Sequence, residues 1–397
     1  MKINEEKEAV MKNRFKGFAV IALALFASAC ANVGNEAKSN NPDFAIAPGN
    51  KAVIFGSAFG DPIGSIATID ADDPTQVEKG VTTTDGSDAV IRSFGGRIYV
   101  INRFGTDTIQ VLEPPSFSVA ADFSVGAGSN PQDIVVLSEE KAYVSRLDSQ
   151  NDAANTDDVL IVNPMTGEEL GSIDLKPYTA DDGDRLARAA QMVLVDGRLY
   201  VCMQDLPGDM WQPADTNGKV AVIDTEKDEV VDVVELAGMN PSDITYSAPL
   251  DEFFVASTGK RVNFVVDTSD ATGGIEAFHR AGDGYESDGI VIDDAEFGGD
   301  VAEVRLASDA LGFTIVNSGT VASFNPTERT VVSKEIYTSP FRWLPDVTLD
   351  GNGMLWIAEQ DFAAPGIVII DPADGSVVAG PIEVGPPPVS ITFVDVE

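Results

Sequence analysis

Between Pro131 and Leu175 the chain carries four short β-type runs in succession, and weaker copies of this unit recur along most of the sequence. PQDIVVL is apolar, and Ser138, Glu139 and Glu140 turn the chain into KAYVSRL. A polar loop then leads to VLIVNP, and a Met165-Thr166-Gly167 turn leads to ELGSIDL. One such sheet cannot cover both of its faces, so the copies must stack on one another. A closed ring of stacked four-stranded sheets does this with the fewest open edges. The expected fold is all-β, a β-propeller of four-stranded antiparallel blades.

Taken in order, complete units run over Asp88 to Gly126, Pro131 to Leu175, Ala189 to Leu236, Ser242 to Ile292, Val301 to Tyr337 and Asp346 to Val384. Two pieces are left over. KAVIFGSA, GSIATIDA and TQVEKGV supply three strands at the start, and PPVSITFVDV supplies one at the end. If the last pairs with the first three, a seven-bladed ring closes through its C-terminal strand. Residues 51–397 then allot about 50 residues to each blade, near the roughly 40 to 50 of propeller repeats. No amphipathic helix stands out; DRLARAAQMVLV, Asp184 to Val195, leads straight into a strand.

Residues 1–29 read as a signal peptide. Lys12, Arg14 and Lys16 precede an apolar run from Gly17 to Ala29 that is too short for a membrane span. Acidic residues precede it, so Met11 is the alternative start. LFASAC resembles a bacterial lipobox with Ala27 where leucine is usual, which makes Cys30 the expected lipidation site, plain cleavage before an unmodified Cys30 being the other reading. Residues 30–50 are small, polar and patternless, as suits a flexible tether, and residues 51–397 form the single propeller domain. The expected location is the bacterial envelope, with the outer membrane, periplasm-facing or at the cell surface, as the site of anchoring. The second cysteine, Cys202 in VCMQ, reads as a buried small hydrophobe.

With a formal net charge of −38, the surface repels nucleic-acid backbones and anionic headgroups, so membrane contact is expected through the lipid alone. An acidic coat that keeps the protein soluble accounts for the charge, and carboxylates gathered at a divalent-cation site are the alternative. DTSDATGG, Asp267 to Gly274, supplies oxygen ligands but departs from the EF-hand spacing. No cofactor is expected, calcium being the one metal the composition leaves room for.

Ile98 to Leu137, IYVINRFGTDTIQVLEPPSFSVAADFSVGAGSNPQDIVVL, resembles the YVTN-type β-propeller repeat: a Tyr-Val strand, a polar bend, a Val-Ile-Asp-like strand and a Val-Gly-x-x-Pro entry follow one another. Tyr99, Val100 and Asn102 match the name-giving tetrapeptide apart from Ile101. KVAVIDTEKDEVVDVVELAGMNPSDITY and GIVIIDPADGSVVAGPIEVGPPPVSITF match its later parts. The resemblance implies an exported bacterial seven-bladed propeller and leaves the activity open.

In a propeller, the loops joining second to third strands share one face, here called upper, with the segments that enter the inner strands. The entries NPQDI, NPSDI and LPDV place Asp133, Asp243 and Asp346 there, with Arg188 at a comparable position. The ends of second strands add Arg103, Arg146, Gln204, Asn317, Glu359 and Gln360. Arg103, Arg146 and Arg188 are expected to converge near the three aspartates, either as ion bridges between blades or as forks for a polar or anionic ligand. Trp211, on the polar loop 205–218, either packs on a neighbour or stacks on a ligand.

The single histidine, His279 in EAFHR, falls on a third strand away from this rim, and a serine triad or thiol mechanism lacks its base or nucleophile. The expected protein is a monomeric, non-catalytic scaffold that binds an envelope protein or a small polar ligand on its upper face. The alternative is a calcium-dependent lactonase-type hydrolase.

Overall fold

The computed structural model describes residues 49–58, 60–148, 158–180, 185–207, 214–262, 265–266, 271–340 and 343–396. Its strands form seven four-stranded sheets and two short two-stranded ones. The inner strands of blades 2 to 7 are Ala89–Phe94, Pro131–Ser138, Ala189–Val195, Pro241–Ser247, Arg305–Ser308 and Val347–Leu349. Each is followed by three antiparallel partners in sequence order. Blade 1 is composite: Lys51–Gly56, Ser65–Asp70 and Val77–Thr83 are completed by the C-terminal strand Pro388–Val394.

That closure is a regular antiparallel ladder, Lys51 opposite Val394, Val53 opposite Thr392 and Ile54 opposite Ile391, with a bulge between Phe55 and Gly56. Asn50 fastens it at the lower edge. Its Nδ2 donates to the Val396 carbonyl and its Oδ1 accepts the Val396 N–H, both at 2.9 Å. The described chain therefore enters the ring on the face opposite the second-to-third-strand loops.

Second and third strands such as KAYVSR, DVLIV and KVAVID are buried almost throughout, because a neighbouring blade covers each side of the sheet. This explains their continuous apolar runs where a half-exposed strand would alternate. Outer strands such as SVAADFS and ELGSID meet solvent and are mixed in character. The apolar core is divided accordingly into seven clusters, one at each boundary between consecutive blades. Tyr143, Val159 and Ile161 of blade 3 pack on Met192, Leu199 and Val201 of blade 4. Tyr200 and Cys202 of blade 4 pack on Phe253, Val255 and Phe278 of blade 5. Trp356 and Ile367 of blade 7 pack on Ile54 and Phe393 of blade 1. The remaining boundaries repeat the pattern.

Two small additions decorate the ring. Arg185–Leu186 pairs with Leu206–Pro207 ahead of and beyond the first two strands of blade 4. A single helical turn, Asp294–Phe297, joins blades 5 and 6; Asp293 caps it by accepting the Ala295 N–H at 2.8 Å, and Gly298 ends it at φ 96°.

Candidate binding surface

The blade repeat places one residue of each inner-strand entry at an equivalent position: Ser390, Val90, Asp133, Gln191, Asp243, Glu303 and Asp346, from blade 1 to blade 7. Five of these use the side chain to accept a backbone N–H from the next blade. Ser390 Oγ accepts from Ile91 at 3.2 Å, Asp133 Oδ2 from Met192 at 3.0 Å and Asp243 Oδ2 from Val304 at 3.0 Å. Glu303 Oε2 accepts from Val347 at 3.2 Å and Asp346 Oδ2 from Ile391 at 2.7 Å. The short inner strands of neighbouring blades are not paired into a common sheet, so these N–H groups would otherwise be buried without a partner. The NPxD entry is a seam stitch.

Two arginines two residues further along the repeat, Arg92 in blade 2 and Arg305 in blade 6, complete the seam. Arg92 donates from Nε to Asp133 Oδ1 at 2.8 Å and from Nη2 to Gln191 Oε1 at 2.7 Å, and so spans three blades. Arg305 bonds Asp243 from Nη1, and its Nη2 lies 3.7 Å from Glu303 and 3.9 Å from Asp346. Burial pushes the carboxyls of Asp133 and Asp346 up, against the pull of Arg92 and Arg305. Burial raises Glu303 to about 8, Arg305 only partly offsetting it. Burial works against the Arg305 charge, yet Asp243, Glu303 and Asp346 together raise its pKa.

Asp133, Asp243 and Asp346 thus sit together around the inner strands, but the arginines that join them are not those expected from the sequence. Arg103 bonds Asp88 within blade 2, with Nε at 2.8 Å. Arg146 grips Asp158 with Nε and Nη2 at 2.6 Å each, both side chains being buried, and donates to the Val125 carbonyl. Arg188 pairs with Asp148 across the boundary of blades 3 and 4. Glu359 is buried and accepts from Tyr337 at 2.9 Å and Ser339 at 2.6 Å, tying blade 7 to blade 6. Asn317 holds a left-handed turn at φ 51° and donates to the Gly298 carbonyl. Gln204 follows the second strand of blade 4, its N–H on the Arg188 carbonyl at 3.3 Å. Gln360 donates to the Pro388 carbonyl at 2.9 Å. Trp211 and the Asp267–Asp270 part of the carboxylate segment lie outside the described residues.

Sequence reasoning missed Arg92, Arg305, Gln191 and Glu303. The available signal was their register within the repeat, but VIR and EVR lack the preceding asparagine and proline that set off the aspartates of NPQDI and NPSDI. It also missed Arg185, a fully buried cation whose Nη1 meets Asp215 at 2.8 Å and whose Nε lies 3.2 Å from Asp205, with Lys219 at 3.2 Å from the same aspartate. This cluster ties down the base of the long loop after Met203.

His279 occupies the lower end of its third strand, opposite Glu252. Among the described residues, His279, Glu252 and Asp288 form one trio with ligand atoms within 4.8 Å of one another. Arg329 of blade 6 already donates to both carboxylates, at 3.1 Å to Glu252 and 2.6 Å to Asp288. The positive charge this trio calls for is supplied by the protein.

Comparison with solved structures bears on the ring as a whole. AztD from Citrobacter koseri, in its apo form, is 11% identical over 86% of this chain and 96% of its own, with a TM-score of 0.52. A candidate 6-phosphogluconolactonase from Bacteroides fragilis is 12% identical over 87% and 98%, at 0.59. Kuenenia stuttgartiensis hydrazine synthase is 14% identical over 87% and 100%, at 0.54. The chain has the seven-bladed β-propeller fold. Identities this low carry the fold alone. No family model and no curated protein matches the sequence.

Proposed function

We propose that the protein is a lipid-anchored binding scaffold of the bacterial envelope, a divergent member of the YVTN-type propellers that works as a monomer and performs no chemistry. The LFASAC sequence ending at Cys30 supports the anchor, and the tether of residues 30–50 supports a body held off the bilayer. The observation that carries the reading is the use made of charge on the upper side. Asp133, Asp243, Asp346, Arg146, Arg188 and Glu359 are all committed to partners that join blades or strands. Such groups make a rigid frame, and rigid frames suit recognition. The expected occupant of that face is an envelope protein or a small polar ligand, with Arg103, Gln204 and Asn317 at its polar margin.

Metal analysis of the purified full-length protein tests this against catalysis. The scaffold reading expects no stoichiometric divalent ion and no lactone hydrolysis. One tightly held ion per chain, lost on chelation together with a lactone-hydrolysing activity, would replace it with the calcium-dependent hydrolase. Metabolic labelling with a palmitate analogue, lost in Cys30→Ser, tests the anchor.

A further inference from the structure

Nine large apolar side chains are exposed among the described residues. Five of them, Val119, Leu170, Val231, Val332 and Val377, stand one to a blade on outer strands, the scattered exposure normal for a protein surface. The other four are gathered. Ile63, Phe104 and Phe362 lie on the second-to-third-strand loops of blades 1, 2 and 7, and Trp343 lies on the entry to the inner strand of blade 7. All four therefore stand on the upper face of three consecutive blades, with Phe362 91% and Trp343 57% exposed.

Hydrogen bonds link these loops side to side. Gln360 N–H meets the Trp343 carbonyl at 3.2 Å, and Gln360 Nε2 meets Pro388. Ser57 N–H meets the Pro387 carbonyl at 3.0 Å, and Gly64 exchanges bonds with Thr84 and Gly86. Gly86 N–H meets Asn102 Oδ1 at 3.1 Å, next to the loop that bears Phe104. The result is an apolar crescent running along the closure of the ring. Asp61, Asp85 and Asp88 are exposed along it, against one described arginine, Arg103, which is paired with Asp88.

Resting on the scaffold reading above, we infer that this crescent is the docking surface for a protein partner that presents apolar side chains flanked by lysine or arginine. Three exposed aromatics on the linked upper loops of blades 7 and 2 stand out on a chain of charge −38, and aromatics dominate binding hot spots. The acidic margin selects a basic partner and speeds encounter with it, while repelling anionic lipid. The tether joins the ring at Asn50 on the opposite face, so the crescent is turned away from the point of attachment.

The test is site-specific photo-crosslinking in cells with benzoylphenylalanine placed at Phe362 and Phe104, at Gln204 and Asn317 elsewhere on the upper face and, as a control, at Val332 on the outer edge of blade 6. The expected result is one protein crosslinked from Phe362 and Phe104 but not from Val332, through a segment that is apolar and bordered by lysine or arginine. Binding of that purified protein should then fall at least tenfold in Phe362→Ser and Trp343→Ser, with circular dichroism and melting temperature unchanged, and should weaken with salt. Crosslinks to lipid, or to a second copy of the chain with a dimer in light scattering, would overturn the inference. So would capture no greater than at Val332. A partner captured from Gln204 or Asn317 and not from the crescent would overturn the inference and keep the scaffold reading. Capture at none of these positions would remove both.

Discussion

Arg92 Nε donates to Asp133 Oδ1 at 2.8 Å across the boundary between blades 2 and 3, while Asp133 Oδ2 accepts the Met192 N–H of blade 4 at 3.0 Å. One carboxylate thereby joins three blades at their narrowest point, where the inner strands offer each other no ladder. Asp243 is held likewise by a cation and a backbone donor, Arg305 and the Val304 N–H, both of blade 6. In both, a buried charge is held by an opposite charge and a backbone donor together, the condition under which its burial is tolerated.

Asp133→Ala should destabilise the protein by about 3–5 kcal/mol, since it removes the carboxylate that balances the Arg92 charge and leaves the Met192 N–H without its acceptor. Asp133→Asn keeps an acceptor for the N–H and should lose less. Urea denaturation followed by circular dichroism measures both, and an alanine variant within about 0.5 kcal/mol of wild type would refute the seam role.

Glu303 gives the seam a pH dependence. Its folded pKa, about 8, lies above the ordinary 4.5, so the native state holds a proton that the unfolded chain releases. The stabilisation is complete below about pH 4.5 and is lost as pH rises through 8. Glu303→Gln, which keeps an oxygen for the Val347 N–H, should show no such loss. Its melting temperature relative to wild type should climb across that window by several degrees; a constant difference would show that Glu303 titrates normally.

Removal of residues 388–397 takes away the strand that pairs with Lys51–Gly56 and both bonds from Asn50 to Val396. It also strips Phe393 and Ile391 from the cluster between blades 7 and 1. The truncated chain should lose cooperative unfolding and become sensitive to proteolysis in limited digestion. A native-like melt would mean that the ring holds without its clasp.

Cys202 is fully buried between blades 4 and 5, and burial, reinforced by Asp243 and Asp133, raises its thiol well above the usual range. Thiolate is the reactive form. A thiol reagent should therefore leave Cys202 untouched in the native protein and modify it rapidly in denaturant, and fast native labelling would show that this boundary opens.

A substitution at Gly274 probes backbone geometry. Its φ is 144°, and an added Cβ would stand 2.3 Å from the Ile292 carbonyl oxygen. Gly274→Ala should cost about 1–3 kcal/mol through strain alone, read as a lowered urea midpoint with an unchanged slope.

The blade count and the clasp could be read from the residues because both follow from local pattern. Strands buried on two faces are apolar at consecutive positions, as in VLIV and VAVI, and a lone strand left at the end must find the three left at the beginning. The aspartates of NPQDI and NPSDI were equally visible, set off by proline and asparagine. Their partners were not. Arg92 is separated from Asp133 by 41 residues and Arg305 from Asp243 by 62, and nothing in either strand marks it as reaching across a boundary. Arg103, Arg146 and Arg188 seemed equivalent in sequence, yet nearer carboxylates, Asp88, Asp158 and Asp148, took each of them.

Sequence alone determined that this chain repeats a four-stranded unit and closes on itself, since apolar spacing and turn residues act over a few positions and need no distant partner. Tertiary structure decided which charges meet and which apolar side chains stay in water. Those outcomes depend on distances between segments as far apart as Ile91 and Ser390, 299 residues in sequence and 3.2 Å in space. Electrostatic pairing and solvent exposure are properties of that proximity, and it exists only once the ring has formed.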